Sequence, residues 1–150
     1  MTFNPQPKGR YKKRKKPLIP SDSSVKKRHL DTLWTSCIKE RSKYSSELSG
    51  IKGIKAGGLA ILAVHHILGK DTNRLRYSLD NGICLVNGRE HIFGVHNTNP
   101  AIASEYFDRI IFVIGEKRYK KIMLLKKART GTSDLTLIKY YLTKKLKEFK

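Results

Sequence analysis

Apolar positions recur along the chain with two different periods, and the changes of period mark out its elements. Leu30, Leu33, Trp34, Cys37 and Ile38 fall at i, i+3, i+4, i+7 and i+8, one stripe of a helix that starts at His29 and is expected to end near Tyr44. The stretch SSELSGIKGIKAGG, with Gly50, Gly53, Gly57 and Gly58, reads as a loop. LAILAVHHI is a short Ile, Leu and Val-rich run, expected to be a strand ending at a histidine pair. LGKDTNRLRYSLDNG is polar, and its Asp80, Asn81 and Gly82 suit a tight reversal before a second short strand, ICLV. NGREHIFG then predicts a short helix, with Asn87 as N-cap and Gly94 as stop.

Beyond it the helical period returns. Asn99 before Pro100 signals a helix start, because proline at the first helical position gives up no needed donor. Ile102, Tyr106, Phe107, Ile110, Ile111 and Ile114 form its buried face up to Gly115. A further helix covers about Glu116 to Lys127. A last one begins after Ser133, with Leu135, Ile138, Leu142, Leu146 and Phe149 inward and Lys139, Lys144, Lys145 and Lys147 outward. No internal repeat is found. The expected class is α+β, a β-hairpin and short helix embedded among longer helices.

Composition adds an organisation. At 150 residues and 39% hydrophobic, the chain is long enough for one modest core, assigned to residues 28–150. Residues 1–27 combine Pro5, Pro7, Pro17 and Pro20 with Lys12, Lys13, Arg14, Lys15 and Lys16 and have almost nothing to bury, so they are expected to be a disordered basic arm. The arm either attracts phosphate or merely solubilises. A formal net charge of +20 repels itself unless a polyanion absorbs it, which makes nucleic acid the leading partner. An anionic membrane surface is the rival, but runs such as LAILAV and IIFVI are far shorter than the roughly 20 residues that span a bilayer. The N-terminal stretch lacks the apolar run of a secretory signal, so the protein is expected to stay inside the cell. Cys37 and Cys84 lie apart in apolar surroundings and read as buried reduced thiols.

Four of the five histidines lie between Val64 and Asn97. If the two strands pair and the short helix crosses them, His65 and His66 approach His91, although neighbours on a strand face opposite sides unless a bulge intervenes. One imidazole can then bind a metal while another, largely neutral near pH 7, takes a proton from water. Phosphodiester cleavage needs these two parts. A lone histidine pair is weak evidence, and His91 and His96, five apart, do not stack on one α-helical face. A helix stop at Gly94 would let His96 reach back from the loop.

HHILGK, LRYSLDNGICL and EHIFGVHN together resemble the HNH (ββα-metal) endonuclease motif. FNPQPK, LDTLW and LIKYYLTKKLKEF extend the likeness over most of the chain to phage recombination endonucleases of the NinG (Rap) type. The resemblance implies His65 and His91 as metal ligands, His96 as an extra ligand, His66 as general base, and Asn81 as the residue that fixes the connecting loop and so orients the base. Asn81 could equally be an ordinary turn residue. Many such relatives brace the hairpin with two Cys-x-x-Cys pairs around a zinc. Here SSELSG has no thiols, and Val86 and Arg89 occupy the second pair's expected region. A version without structural zinc, held by packing and hydrogen bonds, is therefore implied.

The resulting expectation is a metal-dependent HNH endonuclease that hydrolyses DNA phosphodiester bonds in phage recombination or on branched DNA, in the host cytoplasm. It would use one divalent cation, Mg²⁺ or Mn²⁺, with Ni²⁺ or Zn²⁺ also able to bind an imidazole shell. Arg74 or Arg76 would contact a phosphate through a two-pronged donor, or belong to a solvated basic loop. Tyr119, Tyr140 and Tyr141 could stack on unpaired bases, but at helical spacing beside Ile138 and Leu142 they read first as core. The competing reading is a non-catalytic basic nucleic-acid-binding protein. Metal identity, preferred DNA structure and a homodimeric state are left open.

Overall fold

The computed structural model describes residues 22–128 and 134–150, with side chains from Lys27 onward. The arm expected over residues 1–27, with Lys12, Lys13, Arg14, Lys15 and Lys16, falls outside the described residues up to position 21. Its last part is helical, because α1 spans Asp22–Arg41. The helix starts earlier than its apolar stripe because that stripe marks only the buried turns. It stops three residues before Tyr44, and Lys43 and Tyr44 then take left-handed backbone conformations (φ 51° and 52°) that reverse the chain.

The loop that follows holds one 3₁₀ turn, Ile54–Ala56. Strand β1 (Leu62–His66) pairs antiparallel with β2 (Gly82–Val86) in unbroken register from Leu62 opposite Val86 to His66 opposite Gly82. Between them the polar stretch is more ordered than its composition predicts. A single turn, α2 (Asn73–Arg76), is capped by Thr72, whose hydroxyl accepts from the Leu75 N–H, and buries Leu75 completely.

After β2 the chain passes directly into a π-helix, Asn87–Val95. Then come α3 (Pro100–Ile114), α4 (Glu116–Lys127) and α5 (Leu135–Phe149). Asn99 caps α3 as its sequence predicts, its side-chain oxygen accepting from the Ala101 N–H at 3.0 Å. Asp134 does the same for α5 at Thr136.

The small sheet is covered on both sides, which is why ICLV is apolar without alternation. Leu62, Val64 and Cys84 pack with Leu30, Trp34, Cys37, Ile38 and Leu142 of α1 and α5. Ile83 and Leu85, on the other face, join Ile110 of α3 and Ile122 of α4. Both cysteines are buried free thiols, and burial pushes the Cys37 thiol up to about 11. The result is mixed helix and strand around a two-stranded antiparallel sheet. Among the described residues no helix is long and apolar enough to cross a membrane.

A cluster of salt-bridged polar groups ties the start of β2 to the helices. Arg41 donates to both Glu47 carboxylate oxygens and to the carbonyls of Leu79 and Gly82. Glu47 in turn accepts from the Cys84 N–H at 2.8 Å. Arg118 of α4 donates to the Asp80 and Gly82 carbonyls. Of these, the Gly82 carbonyl and the Cys84 N–H are backbone groups that the sheet, only two strands wide, leaves unpaired.

Candidate metal centre and its neighbouring histidine

The odd-numbered face of β1 looks onto the π-helix. His65 projects there and meets His91 and His96, with ring centroids 5.4 Å and 5.0 Å away, and those two lie 4.7 Å from each other. The rings meet edge-on, at 63° to 84°. One ligand nitrogen from each lies within 4.8 Å of the others. That spacing suits a single cation held by imidazole nitrogens at roughly 2.0–2.1 Å after small ring rotations.

Winding of the helix explains how residues five apart come together. His96 N–H donates to the His91 carbonyl at 2.9 Å, an i→i−5 bond that sets one residue above the other as an α-helical turn would not. The helix ends at Val95, and His96, its C-cap residue, reaches back from just beyond that end, as expected, through this bond. The helix runs one residue past the expected stop, so Gly94 is its penultimate residue, where a β-carbon would lie 2.6 Å from the Tyr106 ring. Nor does Asn87 cap the helix, which its side chain does not bond at the N-terminus; its Oδ1 instead lies 3.4 Å from His91 Nδ1.

The helix start is held by Glu90, which no local sequence pattern marks. Buried to 3% exposure, its Oε2 accepts from the Val86 N–H at 2.7 Å and from the Ser46 hydroxyl at 2.6 Å. Ser46 Oγ accepts in turn from the N–H groups of Leu48 and Ser49. The SSELSG loop is thus locked to the β2–helix junction by hydrogen bonds.

Charge on this face is suppressed. Burial foremost, then the neighbouring His96, His91 and His66, lower the His65 pKa to about 4. Burial and then His96 also lower that of His91. At neutral pH His65 offers an unprotonated nitrogen, the form a cation requires.

His66 occupies the opposite face. The strand carries no bulge, so the convergence of His65 and His66 on one side with His91 is not found. The His66 ring lies flat on Trp34, 4.0 Å between centroids and 6° between planes. Its Nε2–H donates to the Arg76 carbonyl at 3.0 Å. Trp34 is itself fixed, its indole N–H donating to the Ser78 carbonyl. Close approach depends on Gly82, where a β-carbon would stand 2.6 Å from the indole. Burial pushes the His66 pKa down, opposed by its bond to the Arg76 carbonyl. Periodicity marks Trp34 as a core position and carries no signal for a stacking partner.

Asn81 is completely buried and holds the β1–β2 connection together. Its Oδ1 accepts from the Leu68 N–H, and its Nδ2 donates to the Gly69 and Leu75 carbonyls. The next carbonyl after Leu75 is the one that holds His66. An ordinary turn residue would be exposed.

The arginines separate. Arg76 is gripped on two prongs by Asp31 at 2.8 Å and 2.6 Å, so its fork is occupied. Arg74 is exposed and lines a cleft with Lys121 and Tyr141. Of the three tyrosines read as core, Tyr119 is half-buried, whereas Tyr140 is 72% and Tyr141 44% exposed. Comparison of the chain with family models, with curated proteins and with solved structures gave no match. Geometry and sequence therefore carry the functional reading.

Proposed function

We propose that the protein is a metal-dependent endonuclease of the HNH (ββα-metal) class that hydrolyses DNA phosphodiester bonds. The observation that carries this reading is the division of labour on β1. Three imidazoles converge on one face, while the next residue's imidazole is held rigidly on the other.

That division suits an in-line displacement, in which the attacking water and the departing oxygen lie on opposite sides of phosphorus. His65, His91 and His96 would hold one divalent cation, whose part is to stabilise charge on the phosphate and on the leaving 3′ oxygen. His66 would take the proton of the attacking water. Because its Nε2–H is spent on the Arg76 carbonyl, its Nδ1 carries the free electron pair that a general base needs. Trp34 and Gly82 keep the ring in place, and Asn81 fixes the loop that supplies the carbonyl. β1 ends at His66, so a phosphate laid across the strand end could meet both faces. Arg74, rather than Arg76, is the arginine left for a neighbouring phosphate. The Ser46–Glu90–Val86 bonds brace the hairpin, which supports the reading without structural zinc. Action on recombination intermediates follows from the resemblance, and the net charge of +20 supports a nucleic-acid substrate.

Incubating supercoiled plasmid with the protein in EDTA and then with Mg²⁺, Mn²⁺ or Ni²⁺ tests the proposal. Nicking that appears with metal and stops with chelator is expected. Plasmid that is retarded but intact under every condition would leave the protein as a non-catalytic DNA binder.

A further inference from the structure

The outer face of α5 is apolar and aromatic as well as basic. Leu137, Tyr140, Tyr141 and Lys144 lie three or four residues apart and so share one surface. The first three are 67%, 72% and 44% exposed, and Lys144 is exposed beside them. Tyr141 also borders a cleft of about 450 Å³ between α2, α4 and α5, whose rim carries Arg74 and Lys121. Lys121 pairs there with Asp80, but as a surface pair, with its own side chain 66% exposed, which a phosphate can displace at small cost.

We infer that this tyrosine face and the adjoining cleft bind unpaired nucleotides of a single-stranded nucleic acid, with bases stacked on Tyr140 and Tyr141 and the backbone followed by Arg74, Lys121 and Lys144. A folded chain gains nothing by leaving two aromatic rings and a leucine in water, whereas a base has an apolar face to stack and a phosphate to neutralise. Charge complementarity selects this occupant over an apolar protein surface, since lysines and an arginine surround the rings. Duplex DNA hides its base faces and would use only the cations. The cleft also adjoins the proposed cutting site: Arg74 stands two residues before Arg76, whose carbonyl holds His66. Only this placement rests on the nuclease reading. Binding at α5 stands or falls without it.

The test is run in EDTA, so that cleavage plays no part. A single-stranded oligonucleotide containing 2-aminopurine and a blunt duplex of equal length are titrated with the full chain and with Y140A/Y141A and Y140F/Y141F. The wild-type and phenylalanine proteins are expected to quench 2-aminopurine by stacking. The alanine protein should lose that quenching and bind the single strand at least roughly tenfold more weakly, with duplex affinity retained. Unchanged single-strand affinity in Y140A/Y141A overturns the inference, as does an equal loss on both substrates. So does a wild-type protein that self-associates through this face and comes apart on the same substitution. Thermal melting of the variants separates these outcomes from misfolding, because both side chains lie outside the core.

Discussion

The two faces of β1 make opposite use of the same residue type. On one, His65 sits among imidazoles that meet edge-on, partly buried and unpaired by any protein acid among the described residues. On the other, one residue along, His66 is stacked on an indole and hydrogen-bonded to a backbone carbonyl. The first environment leaves one nitrogen of each ring facing the other two, as a shared cation requires. The second spends one nitrogen and fixes the other's direction, as a proton acceptor requires. A histidine pair therefore means little as a dipeptide; its meaning comes from alternation along a strand and from what covers each side.

The largest effects should come from breaking the two faces separately. H66A is expected to lower the cleavage rate by about 10²–10⁴-fold while leaving metal and DNA affinity in place, measured by plasmid nicking and gel retardation. H65A should lose metal binding and cleavage together. Loss of metal binding in H66A would erase the distinction between the faces.

Next in size is the loop beneath His66. N81A removes the bonds that Asn81 makes to the Leu68 N–H and to the Gly69 and Leu75 carbonyls, of which the Leu75 carbonyl keeps the Ser78 N–H, and should cost about 2–4 kcal/mol in denaturant unfolding. An exposed turn residue would cost almost nothing. A smaller loss, about 1–3 kcal/mol, is expected for G94A, because the added methyl meets the Tyr106 ring. If the π-helical winding is what aligns His96 with His91, G94A should weaken metal binding as well as stability. Unaltered metal affinity would show that the ligands align without it.

The two faces also differ in a pH slope of the metal-free protein. His65 titrates near 4 when folded, against 6.5 ordinarily, so the unfolded chain takes up its proton first as pH falls. Its contribution is fully present above about pH 6.5 and is lost progressively towards pH 4. Chelator-treated protein should thus melt at lower temperature across that window, and H65N should flatten the slope. A slope unchanged in H65N would assign it to other groups.

Much of this arrangement can be read from residue order, and the failures have physical causes. Strands at 62–66 and 82–86, the Asn99–Pro100 start and helices at 116–127 and 135–149 follow from period and caps, because each is a local pattern. The approach of His96 to His91 is legible in the order of the residues, but the π winding that produces it is not, because sequence periodicity assumes 3.6 residues per turn and nothing in NGREHIFGVH announces a wider winding. Glu90 and Ser46 form their bond across 44 positions, beyond the reach of any local pattern. Tyr140 and Tyr141 were assigned inward by apolar neighbours, yet Ile138 and Leu142 already fill the α1-facing side of α5. Arg76 looked like a free phosphate ligand only because Asp31 is 45 residues away.

The most direct test of the account is a Zn²⁺ titration followed through the histidine ring nitrogens by ¹⁵N–¹H NMR. One ion per chain is expected, with the ring signals of His65, His91 and His96 shifting together and that of His66 keeping the pattern of a neutral ring bonded to a carbonyl. Coordination shifts at His66, or no saturable binding at the other three, would contradict it.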